Sequence, residues 1–72
     1  MNPEGRCLHI EGMSTAADAI RVEKRLNALA DATAIVNLST ARAIVYAEPQ
    51  VTNGLLRDAV AEAGCAVSSI EY

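Results

Sequence analysis

The sequence predicts an α+β fold in which four antiparallel strands are covered on one face by two helices. Three observations carry this expectation. Apolar and polar residues alternate near the start, in the middle and at the end of the chain, as half-buried strands require. Two intervening stretches carry apolar residues at helical spacing. Turn-forming residues separate the pieces, whose order reads strand, helix, strand, strand, helix, strand.

Each element has its own signal. In residues 6–11, Leu8 and Ile10 alternate with polar neighbours, and Gly12 ends this first strand. Ser14-Thr15-Ala16-Ala17-Asp18 reads as a helix start. Thr15 followed three residues later by Asp18 has the form of a capping box, with Asp in place of the usual Glu or Gln. Ala19, Val22, Leu26 and Leu29 form one stripe, so the first helix is expected over 16–29 with Arg21, Glu23, Lys24 and Arg25 facing outward. Residues 33–38 and 41–47 are rich in β-branched side chains and read as a hairpin turning at Ser39-Thr40. Pro49 stops the third strand. The second helix is expected over 52–64, burying Leu55, Leu56, Ala59, Val60 and Ala63, with Gly64 as its terminator. Residues 66–70 form the last strand. Right-handed crossovers place the first strand between the third and fourth. The result is the ferredoxin-like βαββαβ arrangement. No linker or repeat interrupts the chain, so residues 1–72 are expected to form one domain.

Composition narrows the function. The 72 residues are 51% hydrophobic and 21% charged, as in a folded protein. There is no Trp or Phe, so the core must be aliphatic. A net charge of −3 with no basic run disfavours nucleic acid and anionic membrane surfaces. No apolar run approaches the roughly 20 residues of a membrane span. Residues 1–6 lack a signal pattern, so a cytoplasmic location is expected, either alone or as the soluble part of a larger protein. Cys7 and Cys65 are too few for a disulfide framework. The fold also puts them at opposite ends of the sheet. Six strand residues span about 20 Å, whereas a disulfide needs Cα atoms within about 7 Å.

The same topology brings the loop 12–18 beside Gly64-Cys65, the expected functional end. Met13 is expected to plug the core beneath that loop. Cys7, His9 and Glu11 alternate onto the face away from the helices. An i, i+2 Cys/His pair can chelate, but no third ligand is evident, and solvated surface residues are the plainer reading. No nucleophile–base pair is visible, so catalysis is not expected.

The run Gly12-Met13-Ser14-Thr15-Ala16-Ala17-Asp18 resembles the heavy-metal-associated signature Gly-Met-Thr-Cys-x-x-Cys. The resemblance continues through Arg21-Val22-Glu23-Lys24-Arg25-Leu26-Asn27, through Ala34-Ile35-Val36-Asn37-Leu38-Ser39-Thr40, and through Leu56-Arg57-Asp58-Ala59-Val60-Ala61-Glu62-Ala63-Gly64. It covers nearly the whole chain. The Val36–Thr40 stretch looks more like the N-terminal domains of copper-transporting P-type ATPases than like free metallochaperones. The resemblance implies a non-catalytic domain that exchanges Cu(I) with a copper metallochaperone, or docks on other domains of the pump.

The chain departs from the family at the site itself. The two family cysteines fall on Thr15 and Asp18. Soft thiolates suit Cu(I), whereas a hydroxyl and a carboxylate are hard donors. After the glycine, where the family usually has Tyr, Phe or Lys, stands Cys65. Three readings follow. The first is a docking or regulatory domain with at most weak Cu(I) binding. The second is a relocated site in which Asp18 and Cys65 hold a harder ion such as Zn(II). The third is a metal-free interaction module in which Cys65 is simply a small, partly buried apolar residue. Two further departures are structural. Ala30-Asp31 replaces the usual Pro-Gly, where Asp tolerates a left-handed backbone. Ala32 replaces Val and removes core volume.

Overall fold

Alternation along the chain becomes two faces of one sheet. The computed structural model describes residues 4–72. It contains β1 (Glu4–Glu11), α1 (Ala16–Asn27), β2 (Ala32–Asn37), β3 (Arg42–Ala47), α2 (Asn53–Glu62) and β4 (Ala66–Glu71). The strands pair antiparallel in the order β2-β3-β1-β4, with β1 between β3 and β4 as expected. Leu8 and Ile10 of β1 point into the core with Ala43 and Val45 of β3. Val22 and Leu26 of α1 and Leu56 and Val60 of α2 meet them there, so both helices cover the same face. The core is aliphatic throughout. Each fully buried Leu or Val contributes about 1.5–3 kcal/mol of transfer free energy.

The structure corrects several boundaries. β1 begins two residues earlier than expected, because Glu4 and Gly5 pair with Ala47 and Tyr46. Arg6 therefore falls on the inner face and is buried. Its length carries the guanidinium to the rim, where Nη1 donates to Asn53 Oδ1 at 3.2 Å and the group lies 5.8 Å from the Tyr72 ring centroid. α1 stops at Asn27 rather than at residue 29, and β2 takes up Ala32. α2 ends at Glu62, with Ala63 as its C-cap, and β4 runs on to Glu71.

Two side chains face otherwise than their spacing suggested. Leu55 is 45% exposed, so α2 buries Leu56, Ala59 and Val60 without it. Glu23 is half-buried, and its Oε1 accepts the Val36 N–H at 3.4 Å. The left-handed conformation expected at Asp31 is present, with φ of 65°. Its carbonyl accepts the Glu48 N–H at 3.0 Å, which ties the α1–β2 turn to the end of β3. Among the described residues, no helix is long and apolar enough to cross a membrane.

The hairpin turn is longer than Ser39-Thr40. Asn37 Oδ1 accepts the N–H groups of Ser39 at 3.0 Å and Thr40 at 3.4 Å, which draws Leu38 out of β2. The Ala41 N–H closes onto Leu38 O at 3.1 Å, so the turn spans 38–41 and β3 starts at Arg42. Ala41 sits at φ 55°, and its carbonyl receives the Ile10 N–H at 2.8 Å. A left-handed conformation costs an L-residue roughly 1–2 kcal/mol, a penalty that glycine escapes. Ala41→Gly is expected to stabilise the fold by about 0.5–1 kcal/mol after glycine's greater chain entropy is subtracted. The midpoint of thermal unfolding should rise by about 2–8 °C. An unchanged or lower midpoint contradicts the assignment of strain to this residue.

Candidate functional site

Two glycines bring the first loop and the last loop together. Gly64, at φ 86°, follows the C-cap of α2. Its N–H donates to Ala61 O at 3.0 Å, and the Cys65 N–H donates to Val60 O at 3.2 Å. This pair of reversed bonds is a Schellman motif, and it turns the chain so that Cys65 is buried against the end of the core. Gly12, at φ 84°, lies alongside. A Cβ built on it would stand 3.8 Å from Cys65 Cα and 3.9 Å from Gly64 O. Met13 is buried beneath the loop, as expected.

Thr15 and Asp18 stand at the start of α1 and satisfy each other. Thr15 is the N-cap, in extended conformation, and its Oγ1 accepts the Asp18 N–H at 3.2 Å. Asp18 Oδ2 accepts the Thr15 N–H at 3.2 Å, which completes the capping box. The same oxygen accepts the Ser14 N–H at 3.2 Å and the Ser14 hydroxyl at 3.3 Å. Asp18 Oδ1 takes Arg21 Nη2 at 2.9 Å. The Ser14 backbone N–H above all, joined by the Thr15 hydrogen bonds, holds the Asp18 carboxyl below its ordinary pKa. Partial desolvation opposes them.

Cys65 feels this carboxylate. Burial pushes its thiol pKa up, the Asp18 charge pushes it further, and Arg21 pulls the other way. The juxtaposition read from topology is therefore present: Cys65 lies beside the Thr15–Asp18 turn, protonated and buried. Its exposure there, the condition for thiolate reactivity, is absent.

Cys7, His9 and Glu11 lie on the face away from the helices. Cys7 and Cys65 are both free thiols. His9 Nε2 meets Glu71 Oε1, a partner that only the β1–β4 register could have revealed. Arg21, by contrast, was findable: it stands three residues from Asp18 on one helix face. Among the described residues, no three of His, Cys, Asp and Glu are grouped so as to hold a metal ion. The donors at the two positions that the resemblance assigns to cysteines do not suit Cu(I). One is a hydroxyl, the other a carboxylate, and both already carry hydrogen bonds within the cap.

No family profile matches the sequence, and no curated protein matches it. Solved structures do. The N-terminal domain of a potential copper-translocating P-type ATPase from Bacillus subtilis, determined in the Cu(I)-loaded state, is 31% identical. The alignment covers 99% of this chain and 92% of that one, with a TM-score of 0.81. The N-terminal domain of PacS from Synechocystis PCC6803 is 30% identical over 96% of this chain and 98% of its own, with a TM-score of 0.77. The CopZ metallochaperone is 29% identical over 89% of this chain and 98% of its own, with a TM-score of 0.83. Identity and coverage at this level, on the same βαββαβ frame, define the class: the chain belongs to the heavy-metal-associated domain family. Its relatives are a chaperone and the N-terminal domains of pumps, so the chain is a non-catalytic domain.

The cap makes its own prediction. Thr15→Ala removes the acceptor for the Asp18 N–H and is expected to cost about 1 kcal/mol of stability. Asp18 titrates below 3.8 in the folded chain, so its ionised form is favoured by folding. That contribution is complete above the unfolded value and is lost as pH falls through the lowered folded value. The gap in thermal midpoint between the wild type and Asp18→Asn should therefore be widest above about pH 5 and close on acidification. A gap that stays constant with pH contradicts the charged cap.

Proposed function

We propose that this chain is a cytoplasmic docking or regulatory domain of a copper-transporting P-type ATPase, with the fold of the metal-carrying domains but without their Cu(I) grip. Family membership and the two ATPase N-terminal relatives support the setting. The observation that carries the reading is the Thr15–Asp18 capping box, whose hydrogen bonds are internal to the loop at the two positions that the resemblance assigns to ligands. A linear Cu(I) site needs two soft donors free to turn toward the ion. Here the soft donors at the loop are the Cys65 thiol and the Met13 thioether, and both are buried. The partners of such a domain are a copper metallochaperone or the other domains of the pump. They would meet it at the loop end, whose shape the cap maintains without metal.

A second reading keeps a metal: Asp18 and Cys65 together hold a harder ion such as Zn(II), completed by water or by a partner. The electrostatic reach of Asp18 to Cys65 favours it. The four donors on the Asp18 carboxylate weigh against it, because some must be released before a metal binds.

Competition with a Cu(I) chelator tests the main reading. The wild-type domain is expected to lose Cu(I) to a chelator that the double variant Thr15→Cys, Asp18→Cys withstands, because the variant restores two thiolates on an intact frame. Equal retention by the two proteins contradicts the proposal. Alkylation of Cys65, with Cys7 as internal reference, separates the second reading. The rate is expected to be the same with and without Zn(II); protection of Cys65 by Zn(II) would favour the relocated site instead.

A further inference from the structure

The edges of the sheet hold a device independent of the loop. β2 is an edge strand of sequence Ala-Thr-Ala-Ile-Val-Asn. It carries no charge and no proline, the usual means of discouraging an edge from pairing with another chain. Its composition is that of a good strand. Ala34 turns its backbone away from β3 and toward α1, where Asn27 meets it twice. The Ala34 N–H donates to Asn27 Oδ1 at 2.9 Å, and Asn27 Nδ2 donates to Ala34 O at 3.1 Å. One side-chain amide thus reproduces the two bonds that a neighbouring strand would make. Two residues on, the Val36 N–H faces the same way and is taken by Glu23 Oε1 at 3.4 Å. At the far edge, Arg57 Nη1 donates to the carbonyl of Val67 in β4 at 3.1 Å. Helix side chains therefore hold backbone groups of both edge strands, Asn27 and Glu23 on β2 and Arg57 on β4.

We propose that the β2 edge is a latent strand-pairing surface for a second copy of this chain, and that Asn27 is the lock that keeps it closed. The edge suits a copy of itself. Antiparallel pairing about Ala34 is two-fold symmetric: it sets Ala34 against Ala34 of the second copy and Ile35 beside its Thr33. Ile35 is 62% exposed on the outer face, and a β-branched cross-strand neighbour would cover it. With Asn27 in place both Ala34 backbone groups at the centre of that pairing are already engaged, Glu23 holds the Val36 N–H beside them, and the domain remains a monomer that meets partners elsewhere.

The experiment compares the wild type with Asn27→Ala by analytical ultracentrifugation across a concentration series, and by amide hydrogen exchange at high dilution. The wild type should sediment as a monomer, with its Ala34 amide protected. In Asn27→Ala the Ala34 amide should exchange about tenfold faster or more, and a dimer should form as concentration rises. Adding Ile35→Lys, which sets a charge at the new junction, should return the variant to a monomer. If Asn27→Ala proves unfolded, Asn27→Ser serves in its place, since its side chain is too short to hold both backbone groups of Ala34 and adds no charge at the edge. An unprotected Ala34 amide in the wild type overturns the proposal. So does a variant that stays monomeric, or a dimer that Ile35→Lys leaves intact.

Discussion

Thr15 and Asp18 close the first turn of α1 by exchanging hydrogen bonds, and much of the molecule's behaviour follows from that exchange. A helix start leaves four backbone N–H groups without partners inside the helix. Here the Asp18 N–H is met by the Thr15 hydroxyl, while the carboxylate gathers the N–H groups of Ser14 and Thr15 just outside the helix. A negative charge in the first turn also suits the positive end of the helix dipole, and Lys24 and Arg25 complement the other end. The loop has its partners within the protein. The resemblance assigns the same two positions to metal-binding cysteines, so the atoms that would grip an ion are the atoms that terminate the helix.

The frame around this loop is held by the sheet and the helices. β1 runs through the middle of the sheet, and its inward residues Leu8 and Ile10 meet both helices in one aliphatic core. Gly12 and Gly64 supply the left-handed turns that let the first and last loops lie side by side. That arrangement brings Cys65 within reach of the Asp18 charge. Burial, joined by that charge, raises the thiol pKa, while hydrogen bonds from Ser14 and Thr15 lower that of the Asp18 carboxyl. On the proposed function, this loop end would serve recognition rather than exchange of an ion.

Periodicity made the architecture legible. The alternation in β1 and β3 and the Val22–Leu26 and Leu56–Val60 spacings specified strands, helices and their order, and chain connectivity then specified the sheet. The capping box at Thr15 and Asp18 and the left-handed Asp31 were readable for a local reason, since each depends on residues a few positions apart. What escaped was set by tertiary neighbours. Leu55 fits an apolar stripe by spacing, but it lies on a partly exposed flank of α2. Glu23 and Asn27 look like solvated helix residues until β2 is laid beside them with unpaired backbone groups. The partner of His9 comes from the β1–β4 register, which includes an irregularity between His9 and Ile10 that no local pattern announces. At the candidate site the residues and their adjacency were legible, while the burial of Cys65 and the saturation of the Asp18 oxygens depended on packing.

The most direct measurement of the central claim is an amide spectrum of the isotopically labelled domain during anaerobic titration with Cu(I). If the capping box holds the loop without metal, the Ser14, Thr15 and Asp18 amides give sharp resonances at the outset, and these do not move as one equivalent of Cu(I) is added. Amides broadened before titration would show that the cap does not hold the loop, and amides that shift to a limiting position at one equivalent would show that the loop is a working copper site; either result contradicts the account given for Thr15 and Asp18.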